Sequence, residues 1–438
     1  MIGIMTENIN TDTSSEMPET QRASDATHAR IEAENRKEQR HKLVRFLRFA
    51  LSVLGATIAV YITVLAILFL MGWTAAPSPF AKSVAEESAQ STNIDDDLID
   101  VSTWSDEELA AQMCMLIVDS SAARELKEWA GKGVGALVLD GDSPSTSLKR
   151  DIELAQANVP NSVQVFIVTD TEGGSKNPLE ALCGPLHSAE EMGTWKLAEI
   201  ERATEIHGSK LNELGVNMVL GPVADLGHEN GALTKAKRTF AANHDEVADC
   251  AQAWSSGMNK AGIATVSKHW PGIGGFAEIN KVVTAYNAWP AIQKSDARAF
   301  RITDESNTNA ILVGHVIVPD MTEKETPTSI SVEAYTYLRE SAGDSTILLA
   351  DDLRVLVKSG ISQSIEEAII ASIAAGADMY LYQGSDPKDT KVIKELAAAI
   401  GSGTISRKSA EEKVERILRM KSAMDLSPEI KSAHTEAD

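Results

Sequence analysis

From Ile94 onward, short apolar runs alternate with amphipathic stretches. The runs are Met113–Val118, Gly135–Leu139, Val163–Thr169, Val216–Leu220, Ile263–Val266, Ala310–Gly314, Ile347–Ala350 and Met379–Tyr382. Each has the length and apolar density of a buried strand. Between them lie segments with helical spacing: Ala122–Ala130, Ala189–Leu214, Glu246–Ala261, Val332–Ser341 and Ile365–Ala375. A last helix, Arg407–Met424, carries the charged face Glu411, Glu412, Lys413, Glu415 and Arg416. The alternation predicts an α/β fold of βα units around a parallel sheet. Eight units over roughly 330 residues match a (β/α)8 TIM-type barrel with modest insertions. An open doubly wound sheet uses the same alternation, and the count does not separate the two.

The first hundred residues follow a different pattern. Phe49 to Trp73 contains no charged residue and is long enough to cross a bilayer as a helix. Arg36, Lys37, Arg40, Lys42, Arg45 and Arg48 precede it, whereas Glu86, Glu87 and Asp95 to Asp97 follow. The positive-inside rule then predicts a single-pass cell-membrane protein with its N-terminus in the cytoplasm and its barrel outside. The expected organisation is a disordered tail over 1–43, a signal-anchor helix over 44–73 and a flexible linker over 74–98. A barrel over 99–425 and a polar tail over 426–438 complete it. A cleaved signal peptide ending at Thr74-Ala75-Ala76 would need a far longer n-region than such signals have.

Composition narrows the chemistry. The net charge of −22 opposes nucleic-acid binding, which requires basic patches that displace counterions. The three cysteines, Cys114, Cys183 and Cys250, are too far apart for a zinc pattern or a disulfide framework. HExxH, P-loop and GxGxxG signatures are missing from any strand-to-helix setting, so neither a metal nor an organic cofactor is expected. Nothing in the sequence specifies an oligomeric state.

Reactive side chains gather at strand ends. Asp170 follows the third run, Asp225 the fourth, Lys268-His269 the fifth, His315 the sixth and Asp351-Asp352 the seventh. In a barrel these ends meet at one mouth, where such folds place their chemistry. Singly, Asp225 and Asp352 are equally well read as N-caps of the next helix, and His315 as a hydrogen-bonded structural histidine. A lysine at the end of an apolar strand, however, must find an anionic or hydroxyl-rich partner. Together, Asp170, Lys268, His269 and Asp351 suit a hydroxyl-rich ligand.

Several segments resemble the single-domain β-N-acetylglucosaminidase branch of glycoside hydrolase family 3, from about Trp104 to Lys421. Trp104-Ser105-Asp106-Glu107-Glu108-Leu109-Ala110-Ala111-Gln112-Met113 looks like its opening helix and strand. Asp170-Thr171-Glu172-Gly173-Gly174 resembles its D-x-E-G-G element, and Gly215 through Asp225 its G-x-N-x-x-x-A-P-V-x-D strand. Arg238-Thr239-Phe240 stands at its R-S-F. Lys268-His269-Trp270-Pro271-Gly272-Ile273-Gly274 is similar to K-H-F-P-G-H-G, its most specific signature. Gly314-His315-Val316 and Ala350-Asp351-Asp352-Leu353 match the sixth and seventh strand ends. The resemblance implies retaining hydrolysis with Asp351 as nucleophile. It also implies that Asp170, Arg238, Lys268 and His269 grip sugar hydroxyls, with His315 beside them at the substrate site.

The chain departs from that family at the acid/base loop. Where the family carries Asp-Ser-His, this sequence has Ile279-Asn280-Lys281. Ile273 and Gly275 replace two further polar signature residues, and Ser175 replaces the arginine after D-x-E-G-G. General-acid help is typically worth about 10² to 10⁴ in rate, so its loss implies a slow enzyme or one limited to good leaving groups. Glu278, in the same loop, is the substitute acid the sequence offers; its alternative is a solvated loop charge. Two functions follow. One is a membrane-anchored exo-glycosidase acting on N-acetylglucosamine-containing glycans such as peptidoglycan fragments. The other is a catalytically impaired relative serving as a cell-surface sugar-binding or cell-wall scaffold protein.

Overall fold

A computed structural model describes residues 99–428 apart from 142, 302–308, 324 and 385. The expected tail, membrane helix and linker over 1–98 lie outside the described residues. Among the described residues, no helix is long and apolar enough to cross a membrane.

The strands, in chain order, are β1 (Cys114–Asp119), β2 (Ala136–Asp140), β3 (Phe166–Thr169), β4 (Met218–Val219) and β5 (Ala264–Trp270). They continue with β6 (Val283–Thr284), β7 (Ala310–Val313), β8 (Val316–Ile317), β9 (Ile347–Ala350) and β10 (Met379–Gln383). Eight of them close in the order β1-β10-β9-β7-β5-β4-β3-β2, all pairs parallel, while β6 and β8 form a separate parallel pair. Closure decides for the barrel over the open sheet. Both faces of a parallel strand are covered, the inner by the barrel core and the outer by helices. β2, β3, β7 and β9 are accordingly near-continuous buried aliphatic runs.

Local signals set the first turn. Ser105 Oγ accepts from Glu108 N at 3.2 Å and Glu108 Oε2 accepts from Ser105 N at 2.7 Å, a capping box that starts the helix Asp106–Gln112. The helix expected over Ala189–Leu214 is instead two, Ala189–Met192 and Leu197–Glu213. Gly193 lies between them against the backbone of Phe240, whose carbonyl oxygen would be 2.0 Å from any added Cβ.

β4 is shorter than expected because the side chain of Asn217 takes over from the ladder. Its Oδ1 accepts from Ile167 N at 2.9 Å. β5 is longer, running through Lys268 and His269 to Trp270. Beyond it, residues 271–287 form a loop tied down by β6 against β8 and by a small second core that includes Ile273, Phe276, Ile292 and Val316. The tail expected from 426 starts with a docked residue, since Leu426 packs on the core and its carbonyl accepts from Gln164 N at 2.8 Å.

Candidate active site

The C-terminal strand ends open into a cavity of about 300 Å³. Asp170, Lys176, Arg238, Lys268, His269 and Asp351 supply its charged and titratable lining, and Leu220, Ile273, Ile279, Asn280, Leu312 and Leu381 the rest. Regular alternation would send Lys268 and His269 to opposite faces of β5. The register against β7 shifts between Lys268 and Trp270, and both side chains reach the cavity. The Lys268–His269 and Trp270–Pro271 peptides are cis. Trp270 itself is fully buried, edge-on to Trp289 at 5.8 Å and stacked on Tyr337 at 6.2 Å, which anchors this strand end from behind.

Lys268 is the hub. Its ammonium is buried between Asp170 and Glu172, at 2.5 Å from Glu172 Oε1. Glu172 in turn receives a fork from Arg238, Nε to Oε2 at 2.7 Å and Nη2 to Oε1 at 2.7 Å. Burial alone would push both carboxyls up and the lysine down. Lys268 and Lys176 override it at Asp170, and Lys268 and Arg238 at Glu172, so both carboxyls fall below the usual range. Burial likewise opposes the charge on Lys268, but Asp170 and Glu172 raise its pKa above the ordinary value. The network is therefore fully charged at neutral pH.

Lys176 enters through a tight turn. Glu172 and Gly173 donate to Lys176 O at 2.8 and 3.1 Å, and Lys176 Nζ returns to Asp170 Oδ2 at 3.1 Å. Gly173 is needed there: its φ is 106° and an added Cβ would lie 2.0 Å from His187 O. A cation thus stands one residue beyond Ser175, the residue that replaces the arginine of the resembled motif.

Asp225 is not an N-cap. The segment after β4 runs beside β5, with Lys268 N donating to Pro222 O at 3.0 Å and Ala224 N to Lys268 O at 2.7 Å. This brings Asp225, fully buried, against His269. Its Oδ2 accepts from His269 N at 3.1 Å and faces His269 Nδ1 at 2.7 Å, and its Oδ1 accepts from Ile273 N at 2.6 Å.

Asp351 follows β9 and its backbone N donates to Val313 O at 3.1 Å, continuing the ladder to the rim. One carboxylate oxygen accepts from Asp352 N at 2.7 Å. The Asp352 side chain is taken by Arg354, with Nε at 2.8 and 2.9 Å from its two oxygens, and Arg354 N at 3.1 Å from Oδ1.

Two expected site residues do not line the cavity. His315 sits behind the Asp351–Asp352 corner, its Nδ1 at 2.7 Å from Ser329 Oγ and its Nε2 at 3.0 Å from Asp352 O. Burial lowers its pKa despite the nearby Asp351. A carbonyl only accepts, so Nε2 carries the proton and Nδ1 accepts from the serine. His315 buttresses the corner that presents Asp351. Glu278 points away: its side chain is 71% exposed and pairs with Lys281 at 2.6 Å, while Ile279 and Asn280 turn into the cavity. The hydrogen bond from Lys281 lowers its pKa, opposite to what a resting general acid needs.

A closed parallel barrel whose mouth joins a rim carboxylate to a buried charged network places a polar cavity where enzymes of this fold carry out their chemistry. Residues 106–420 match the Glycosyl hydrolase family 3 N terminal domain, and the chain belongs to that family of glycoside hydrolases. It is similar to the beta-hexosaminidase LpqI of Mycobacterium tuberculosis, 25% identical over 298 residues that cover 66% of this chain and 76% of that one. Among solved structures it resembles a family 3 glycosyl hydrolase from Mycobacterium smegmatis, with a TM-score of 0.65 at 22% identity, covering 76% of this chain and 100% of that one. A beta-N-acetylhexosaminidase from Beutenbergia cavernae gives 0.65 at 23% identity over 73% of this chain and 99% of that one.

Proposed function

We propose that this chain is an exo-acting, retaining β-N-acetylhexosaminidase that removes terminal N-acetylglucosamine from glycans such as peptidoglycan fragments. Its barrel would be held outside the cell membrane by the segment over 44–73. Asp351 is the nucleophile, and Asp170, Lys176, Lys268 and Arg238 bind the hydroxyls of the sugar. The observation that carries the reading is the rim position of Asp351 on the same cavity as the Lys268 network. The hexosaminidase names of its relatives support the substrate class.

The charged groups fit the task. Charge-assisted hydrogen bonds to hydroxyls are roughly twice as strong as neutral ones and fix the ring against the nucleophile. Because Lys268 and Arg238 already neutralise Asp170 and Glu172, the site reorganises little when sugar enters. In the first step an Asp351 oxygen bonds to the anomeric carbon as the bond to the leaving oxygen breaks. Water then displaces Asp351 from the same carbon.

The test is a fluorinated N-acetylglucosaminide with an activated leaving group, followed by mass spectrometry. An adduct on Asp351 is expected, and Asp351→Asn should lower turnover by at least about 10³. Turnover by Asp351→Asn equal to that of the parent protein overturns the assignment. One observation favours sugar binding without turnover: Ile279 and Asn280, not an ionisable pair, face the cavity from the loop. That reading expects calorimetric binding of N,N′-diacetylchitobiose with no adduct and no hydrolysis.

A further inference from the structure

We propose that His269, held by Asp225, is the general acid/base of this enzyme, a task carried by strand β5 instead of the loop. The inference rests on the glycosidase reading with Asp351 as nucleophile. Of the two histidines at the mouth, His315 has both ring nitrogens engaged, by Ser329 and by the Asp352 carbonyl. His269 has only Nδ1 engaged, at 2.7 Å from Asp225. Among the described residues no protein group hydrogen-bonds its Nε2, and that atom is not sealed in the interior, because His269 lines the cavity. A carboxylate only accepts, so Nδ1 carries a proton and Nε2 is the atom that can exchange one with a ligand.

Asp225 is built for this support. It is fully buried, and two backbone N–H groups, from His269 and Ile273, fix its orientation. A buried carboxylate on Nδ1 sets the tautomer and stabilises the imidazolium, the arrangement that makes a histidine an effective proton donor and acceptor. Asp225 is the positioning residue and His269 the catalytic one. His269 and Asp351 line the same cavity. The loop provides no rival: Ile279 and Asn280 cannot titrate, and Lys281 and Glu278 pair with each other outside the cavity.

The step balances. With the imidazole protonated on both nitrogens, an Asp351 oxygen bonds to the anomeric carbon and the bond to the leaving oxygen breaks. That oxygen takes the Nε2 proton. In the second step Nε2 removes a proton from water, the hydroxide oxygen bonds to the anomeric carbon, and the bond to Asp351 breaks. The imidazolium and the free carboxylate are restored.

The experiment compares two leaving groups in the full chain. His269→Gln should lose about 10² to 10⁴ in kcat/KM on N,N′-diacetylchitobiose, whose leaving oxygen needs a proton. On the 2,4-dinitrophenyl glycoside, which needs none, the Asp351 adduct should form within about tenfold of the parent rate, which also shows that the variant is folded. Azide should rescue the slow second step of His269→Ala and yield a β-glycosyl azide. Asp225→Asn should show the same leaving-group split, with KM for the disaccharide changed less than kcat. Equal losses on both substrates without azide rescue would make His269 a hydroxyl ligand and overturn the proposal. No adduct on Asp351 even in the parent protein would instead remove the glycosidase reading on which it rests.

Discussion

Two buried lysines at opposite ends of the barrel have opposite fates. At the mouth, Lys268 sits between Asp170 and Glu172 and its pKa is raised above the ordinary value, even though burial opposes its charge. At the floor, Lys421 reaches inward from the closing helix Arg407–Ala423, at the N-terminal ends of β1 and β3. Its Nζ meets Gln112 Oε1 at 2.9 Å and lies 5.1 Å from the centre of the Phe166 ring. No carboxylate among the described residues reaches it, and burial pushes its pKa down to about 7. The floor does hold a buried carboxylate, Asp378, but Arg339, Arg416 and the N–H of Leu348 use it up. Depth alone does not decide whether a lysine is charged. Lys268 keeps its charge because its partners are anionic and open to a ligand; Lys421 meets an amide and a ring, and packs.

The largest effect that would break this contrast is at the mouth. Lys268→Met leaves Asp170 and Glu172 short of their main cation, and removing one partner of a buried charged set costs about 3 to 5 kcal/mol. Urea unfolding should show that loss, together with the disappearance of sugar affinity by calorimetry. A variant that unfolds like the parent would mean that Lys176 and Arg238 carry the network unaided.

At the floor the sign reverses. Lys421→Met should raise stability by about 2 kcal/mol at pH 7, after allowing for the unpaired Gln112 oxygen. The native pKa is about 7 and the ordinary value is 10.5. Between those values the unfolded chain binds more protons, so the stability of the parent rises with pH across this window. The advantage of the variant should therefore shrink as pH climbs from 7 toward 10. Urea midpoints at three pH values test it, and an advantage that stays constant would show that Lys421 is charged when folded.

Much of the barrel was legible because strands such as β2, β3, β7 and β9 are short buried apolar runs, and the expected Ile347–Ala350 coincides with β9 to the residue. Pattern reading stopped β5 at Val266 because Lys268 and His269 look like the end of a strand. Their partners, Asp170 and Asp225, lie 98 and 44 residues away and are invisible to periodicity. Gly193 interrupts a helix through contact with Phe240, again a tertiary cause. β6 and β8, at two residues each, are too short to leave a pattern. At the site, strand-end position found Asp170, Lys268, His269 and Asp351. It missed Glu172 as a site residue, although that residue stood in the quoted motif. It missed Lys176 because a single turn, not spacing, returns its ammonium to Asp170. His315 was read into the substrate site because strand-end position does not say which way a ring is engaged.

The smallest expected effect is the sharpest test of where mouth chemistry ends. Glu278 lies only one residue from Ile279, which lines the cavity, so proximity in sequence made it the substitute acid. Its carboxylate faces solvent, and its ionic partner Lys281 is itself 53% exposed. Such a surface pair contributes little, and the hydrogen bond from Lys281 favours the charged form, which has no proton to give. Glu278→Gln should therefore leave kcat/KM on N,N′-diacetylchitobiose within about twofold, whereas removal of a true general acid costs about 10² to 10⁴. A loss of that larger size, confined to poor leaving groups, would mean that the loop turns over during turnover and brings Glu278 inward. The charged mouth would then extend past Asn280, and the acid would belong to the loop after all.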